Sequence, residues 1–259
     1  MNILWLCDID GTLVNITQVH LNTYKKLYKE IAGIEVTDEI LLPTFGMSEH
    51  EMHPAVFKAL RIKKDEKLIK KMLAAHPKYF RTQLSANNIE PLSGVNEFLH
   101  KLKKRGEHCG IVTGNLKQNA ELILQKAKLL SYFDFIATDD GTKVRWEIVR
   151  DAIEIARKKG YVWNKVVVIG DTMSDIEAAW RCAKETGEII IAVAVATGTC
   201  TFAELKDADL RLNGFDKKSV LLLKKIMSNK VSHNLHTTCV SNDVTYELPA
   251  PPLRKEEKN

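Results

Sequence analysis

Five short runs of the 259-residue chain, Ile3 to Cys7, Cys109 to Thr113, Phe135 to Ala137, Val166 to Ile169 and Ile189 to Val193, are apolar at nearly every position. Each is too short for a stable helix and too continuously apolar for a strand with one wet face, so each fits a strand buried on both sides. Between them the apolar positions recur at helical spacing. Leu116, Ala120, Ile123, Ala127 and Leu130 share one face, and Val144, Ile148, Ala152 and Ile155 share another. This alternation predicts an α/β fold, a doubly wound parallel sheet covered by helices on both sides and joined by right-handed crossovers.

One stretch breaks the alternation. From Val14 to Pro91 there is no strand pattern, only amphipathic stretches over Thr17 to Ile31, Ser48 to Leu60 and Asp65 to Ser85. The expected organisation is therefore a core of residues 1–14 plus 91–227 with a helical insertion, 15–90, placed directly after the first strand. Ser93 is the expected N-cap where the chain re-enters the core. The Pro-containing and charged stretch 228–259 is expected to be a loosely attached or disordered tail. A hydrophobic content of 45% suffices for one large core with such an insertion.

Several classes are disfavoured. The apolar opening is not preceded by a basic region and ends at Asp8, which argues against a signal peptide, and no apolar stretch is long enough to cross a bilayer. Cys7, Cys109, Cys182, Cys200 and Cys239 are scattered and lack a C-x-x-C pair, as expected of reduced thiols in a cytoplasmic protein. The net charge of +5 is spread through mixed runs such as Arg61 to Lys71 and indicates no nucleic-acid partner.

In an open parallel sheet the ligand site lies beyond the carboxyl ends of the strands. Three strands here end in polar clusters: Asp8-Ile9-Asp10-Gly11-Thr12, Thr113-Gly114-Asn115, and Gly170-Asp171 followed by Asp175. Singly, each has a bland explanation, a turn for the first and a helix cap with a surface acid for the last. Jointly they bring Asp8, Asp10, Asp171 and Asp175 to one sheet edge, where they would repel one another without a cation. Hard oxygen ligands of this kind suit Mg²⁺.

The runs WLCDIDGTLV, IVTGN and VVVIGDTMSD, in this order and with a helical insert after the first, resemble the phosphatase branch of the haloacid dehalogenase superfamily. The insert resembles that superfamily's C1 cap, and the layout is similar to phosphoglycolate-phosphatase-like members. The resemblance implies that Asp8 is a nucleophile forming a phosphoaspartate and that Asp10 is the acid and later the base, its backbone carbonyl also reaching Mg²⁺. It implies further that Gly11 and Thr12 shape the phosphate loop and that Thr113, with the N–H groups of Gly114 and Asn115 at the start of the next helix, binds phosphoryl oxygens. Asp171 is then a direct metal ligand, with Asp175 acting through a water or by orienting a base. The basic residue that neutralises charge beside the nucleophile is Arg145 or Lys143; Arg145 suits the family's spacing to Gly170-Asp171 better. Asp10 argues against a dehalogenase, and no cap lysine marks a phosphonate hydrolase.

A sugar phosphomutase of the β-phosphoglucomutase kind is an alternative, because His20 falls where such enzymes carry a hinge histidine. However, Gly46-Met47-Ser48 is followed here by Glu49, where those enzymes place an arginine, and Glu49 would repel a second phosphate. A catalytically silent binding protein is the other alternative. His20 is expected on the solvent-facing or hinge side of its helix; Glu49, His50, His53 and the lysines between Lys63 and Lys71 are expected to be exposed. The expected partner is a small phosphorylated metabolite, with the protein a monomer or homodimer.

Overall fold

The computed structural model describes residues 2–139, 142–219 and 223, leaving aside the side chain of His50. The expected strands form as β1 (Ile3–Cys7), β2 (His108–Leu116), β3 (Phe135–Asp139), β4 (Lys165–Gly170) and β5 (Ile190–Val195), and a short β6 (Leu210–Leu212) joins them. The sequence reading missed β6, whose three residues with Arg211 at the centre carry too little apolar signal. The sheet is parallel throughout, in the order β3-β2-β1-β4-β5-β6. The chain steps outward from β1 to β3, then crosses to the other side of β1 for β4, so the strand order reverses at the carboxyl end of β1. That reversal opens a crevice in which ligands bind.

Side chains alternate across the sheet. On one face Trp5 and Cys7 pack with Val95, Phe98 and Leu99 of α5 (Val95–Lys104) and with Ala120 and Ile123 of α6 (Lys117–Lys126). Trp5 meets Phe98 edge to face, with ring centroids 5.6 Å apart. On the other face Leu4 and Leu6 pack with Ile148 and Ala152 of α7 (Arg145–Lys158) and with Ile176 and Ala179 of α8 (Met173–Thr186).

The inserted segment is helical: α1 (Thr17–Leu27), a π-helical turn at Tyr28–Ala32, α2 (Asp38–Leu41), α3 (Glu49–Ala59) and α4 (Glu66–Ser85). It has its own core, including Leu27, Val56, Phe57 and Met72. The amino-terminal half of α4 contributes Ile69 and Met72 to that core, whereas Phe80 and Leu84 of the same helix belong to the core beneath the sheet. A continuous helix therefore ties insert to core. The two connections run side by side, with Leu92 N–H donating to the Leu13 carbonyl at 2.8 Å and Val14 bridged to Pro91.

Two local expectations are corrected. The N-cap of α5 is Gly94, at φ +83°, and Ser93 is exposed. The left-handed turn favours glycine, and a Cβ there would run into the Phe215 carbonyl. Gly114 and Asn115 do not begin a helix but lie in the irregular end of β2, where the pairing register shifts between Thr113 and Leu116, and α6 starts at Lys117. The expected tail, 228–259, lies outside the described residues, and among those described no helix is long and apolar enough to cross a membrane.

Candidate active site

The first loop is built by its turn. Asp8 follows β1 directly, and its N–H donates to the Ile169 carbonyl of β4 at 2.9 Å. Gly11 reverses the chain at φ +75°, with its N–H on the Val14 carbonyl at 2.7 Å. A Cβ on Gly11 would strike the Asp171 carboxylate, so the turn residue is small because two strand ends meet there. Thr12 donates its hydroxyl to Asp171 Oδ1 at 3.3 Å and Thr197 donates to the Gly11 carbonyl at 2.5 Å, joining the loops after β1, β4 and β5.

Asp175 serves two purposes. Its Oδ2 accepts from the N–H (3.1 Å) and hydroxyl (2.7 Å) of Thr172, capping α8, and its Oδ1 accepts from Arg145 Nη2 at 2.6 Å. It is a cap, but not a surface acid, being only 3% exposed. The same Arg145 nitrogen donates to Asp8 Oδ1 at 2.5 Å. Arg145 is the first residue of α7 and is buried. Lys143 instead pairs with Asp151 at 3.0 Å.

Asp8, Asp171 and Asp175 each offer a carboxylate oxygen, all within 4.8 Å of one another. Burial pushes the Asp8 carboxyl up to about 7; Arg145 opposes this, and Asp175 and Asp10 add to it. Burial, with Asp175 and Asp8, likewise raises Asp171 well above the usual carboxylate range. Burial works against the Arg145 charge, but Asp175 and Asp8 together hold it firmly protonated. Three crowded, buried carboxylates with one guanidinium, which bonds Asp8 and Asp175, are short of positive charge. An oxygen-only donor set in that condition fits a hard divalent cation.

Asp10 sits at the opposite rim. Its Oδ2 accepts from Asn115 Nδ2 and lies 3.2 Å from His20 Nε2, while its buried Oδ1 has no hydrogen-bond partner among the described residues. Thr113 Oγ1 accepts from both the N–H (3.2 Å) and the Nδ2 (3.0 Å) of Asn115, which leaves the hydroxyl proton as its free donor. These groups line one partly open cavity of ≈ 70 Å³, walled on one side by residues of the insert. The lid sits tightly: a Cβ on Gly46 would lie 2.6 Å from Thr172 Oγ1, and one on Gly114 2.6 Å from the Met47 carbonyl.

The insert side corrects the sequence reading. His20 is buried and turned toward Asp10, not toward solvent, and Glu49 and His53 are buried rather than exposed, whereas Lys63, Lys64, Lys67, Lys70 and Lys71 are exposed. Glu49 Oε1 accepts from Tyr24 Oη at 2.6 Å, Glu49 Oε2 lies 3.4 Å from His53 Nε2, and His53 Nδ1 lies 2.8 Å from Tyr28 Oη. Opposing these effects, burial disfavours the Glu49 charge, but His76, His53 and Tyr24 outweigh it and hold the carboxyl down at about 2. Burial in turn pushes His76 down to about 4. Tyr24, Tyr28 and His76 were not singled out in the sequence. The available signal was polar residues at four-residue spacing on one helical face, His20-Tyr24-Tyr28 and Glu49-His53.

Known proteins share this fold. The family described as haloacid dehalogenase-like hydrolase matches residues 5–187. A Bacillus cereus (strain B4264) protein named Pyrophosphatase PpaX is 26% identical over 187 residues, 71% of this chain and 81% of that protein. The crystal structure of a hydrolase from Pseudomonas syringae superposes with a TM-score of 0.70 at 21% identity, covering 86% of this chain and 97% of that one. A predicted phosphoglycolate phosphatase from Haemophilus somnus 129pt gives 0.66 at 18% identity, with 86% and 97% covered.

Proposed function

The chain belongs to the haloacid dehalogenase-like hydrolases, and from that premise we propose that it is a Mg²⁺-dependent phosphomonoester hydrolase acting on a small phosphorylated metabolite through a phosphoaspartate at Asp8. The observation that carries this reading is the convergence of Asp8, Asp171 and Asp175 oxygens within 4.8 Å, beside the buried Arg145 and opposite Asp10. A carboxylate oxygen of Asp8 attacks phosphorus, and the bond from phosphorus to the leaving oxygen breaks as that oxygen takes a proton from Asp10. Water then attacks the phosphoaspartate, giving its proton to Asp10, and the bond between Asp8 and phosphorus breaks to release inorganic phosphate.

Asp10 is suited to both steps because Asn115 and His20 hold one of its oxygens and leave Oδ1 for the proton. Arg145 fixes the orientation of Asp8 and brings positive charge to the attacked group, and the Thr113 hydroxyl donates to a phosphoryl oxygen. A Mg²⁺ ion held by Asp8, Asp171, Asp175 and the Asp10 carbonyl would offset the charge of carboxylates and phosphate. Gly11 and Thr12 shape the loop that receives the phosphate, with Gly114 and Asn115 on its far side.

Pyrophosphate hydrolysis is a second reading, drawn from the name of the Bacillus cereus relative; Glu49 in the cavity wall weighs against it. The same residue weighs against a sugar phosphomutase, which needs a second phosphate site. The test is para-nitrophenyl phosphate hydrolysis by wild type and Asp8→Asn, with Mg²⁺ and with chelator. Mg²⁺-dependent turnover lost in the variant is expected, and equal rates for the two proteins would sink the assignment.

A further inference from the structure

We propose that Glu49 determines specificity, and that the leaving group is a small alcohol bearing a hydrogen-bond donor, a hydroxyl or an ammonium, and no second anionic group. This deepens the phosphohydrolase reading and rests on it. Glu49 opens α3 immediately after the Gly46-Met47-Ser48 segment, which seats the insert on Thr172 and Gly114, so its position is fixed relative to the core loops. It is 3% exposed and lines the same cavity as Asp8 and Asp10. The hydroxyl of Tyr24 on Oε1 and the nearby His53 stabilise its charged form, so the wall facing the leaving group is negative.

Two features set what that wall accepts. Glu49 Oε2 is buried and makes no hydrogen bond among the described residues, with His53 Nε2 3.4 Å away. A negative charge held beside the cavity favours a leaving group that brings a hydrogen-bond donor or a positive charge toward it. The second feature is the shortage of cations. Arg145 is the one lysine or arginine among the described lining residues, and Asp8 and Asp175 already hold it, while the lining His20 faces Asp10. A carboxylate or second phosphate on the leaving group would meet Glu49 with no free countercharge, and such like-charge contacts reject wrong partners. The cavity of ≈ 70 Å³ must take the phosphoryl group as well, which favours a small leaving group.

The experiment compares kcat/KM, with Mg²⁺, for phosphoethanolamine and glycerol 3-phosphate against 2-phosphoglycolate and pyrophosphate, with para-nitrophenyl phosphate as a probe of the phosphoryl end alone. The wild type is expected to favour the better donor-bearing ester over both anionic substrates by about 10-fold or more. Preference for phosphoethanolamine assigns an ammonium to the leaving group; preference for glycerol 3-phosphate assigns a hydroxyl. Glu49→Gln is expected to shrink that ratio by about 10-fold, mostly through KM for the anionic substrates. Turnover of para-nitrophenyl phosphate together with a wild-type preference for phosphoglycolate or pyrophosphate overturns this inference alone. So does an unchanged ratio in folded Glu49→Gln; if that variant does not fold, the wild-type ratio decides. No turnover of para-nitrophenyl phosphate by the wild type overturns the phosphohydrolase reading, and this inference with it.

Discussion

Replacing Asp8 by Asn should stabilise the metal-free protein while abolishing turnover. Asp8 is 5% exposed and crowded by Asp171 and Asp175, and burial pushes its carboxyl from 3.8 up to about 7. The folded state therefore binds this proton more tightly than the unfolded state. Between pH 3.8 and about 7 the native chain carries more protons, so unfolding free energy falls as pH rises. The contribution is complete below about 3.8 and gone once pH has passed through about 7. A span of roughly three units at ~1.4 kcal/mol each gives up to about 4 kcal/mol. Asparagine cannot ionise, and its carbonyl can still accept from Arg145. In EDTA at pH 8 the Asp8→Asn variant should thus melt higher than wild type, by up to roughly 8–16 °C for a chain of this size. The gap should narrow at pH 5, where much of the wild-type Asp8 regains its proton, and narrow again at pH 8 when saturating Mg²⁺ is added. Thermal melts followed by circular dichroism across that pH range provide the measurement. An Asp8→Asn variant no more stable than wild type at pH 8 in EDTA would refute the argument that the carboxylates are crowded beyond what Arg145 neutralises.

Arg145→Ala should lower kcat about 100-fold or more, because it removes the cation beside the nucleophile and leaves Asp8 and Asp175 unpaired. Lys143→Ala, which breaks a half-exposed pair with Asp151, should stay within about 3-fold of wild type; equal losses in the two variants would contradict this division of labour. Gly114→Ala should reduce kcat/KM about 10-fold or more, since its Cβ would sit 2.6 Å from the Met47 carbonyl and 3.1 Å from Arg145 Nη1. Unchanged steady-state kinetics in that variant would mean that the insert does not seat on Gly114 during turnover.

Much of the core was legible because its signals are local. A strand buried on both faces must be apolar at successive positions, so β1 through β5 stand out from their own residues, and the polar clusters that end β1, β2 and β4 mark the edge where ligands bind. Where the signal was weak or depended on a neighbour, the reading went astray. β6 is held by its pairing with β5, and Gly94 replaced Ser93 as the cap because the Phe215 main chain passes too close for a side chain.

The sequence by itself determined the parallel α/β core, the helical insert after the first strand and the set of carboxylates brought to one edge, since each follows from periodicity and from the chemistry of strand ends. It left Arg145 and Lys143 as rivals two residues apart. Tertiary structure put Arg145 between Asp8 and Asp175 and gave Lys143 to Asp151, because the start of α7 turns one side chain into the crevice and the other toward its own helix. Only tertiary structure, too, buried His20, Glu49 and His53. On an isolated helix a polar residue reads as solvated, and its burial is decided by the tyrosines and histidines that other helices bring to meet it.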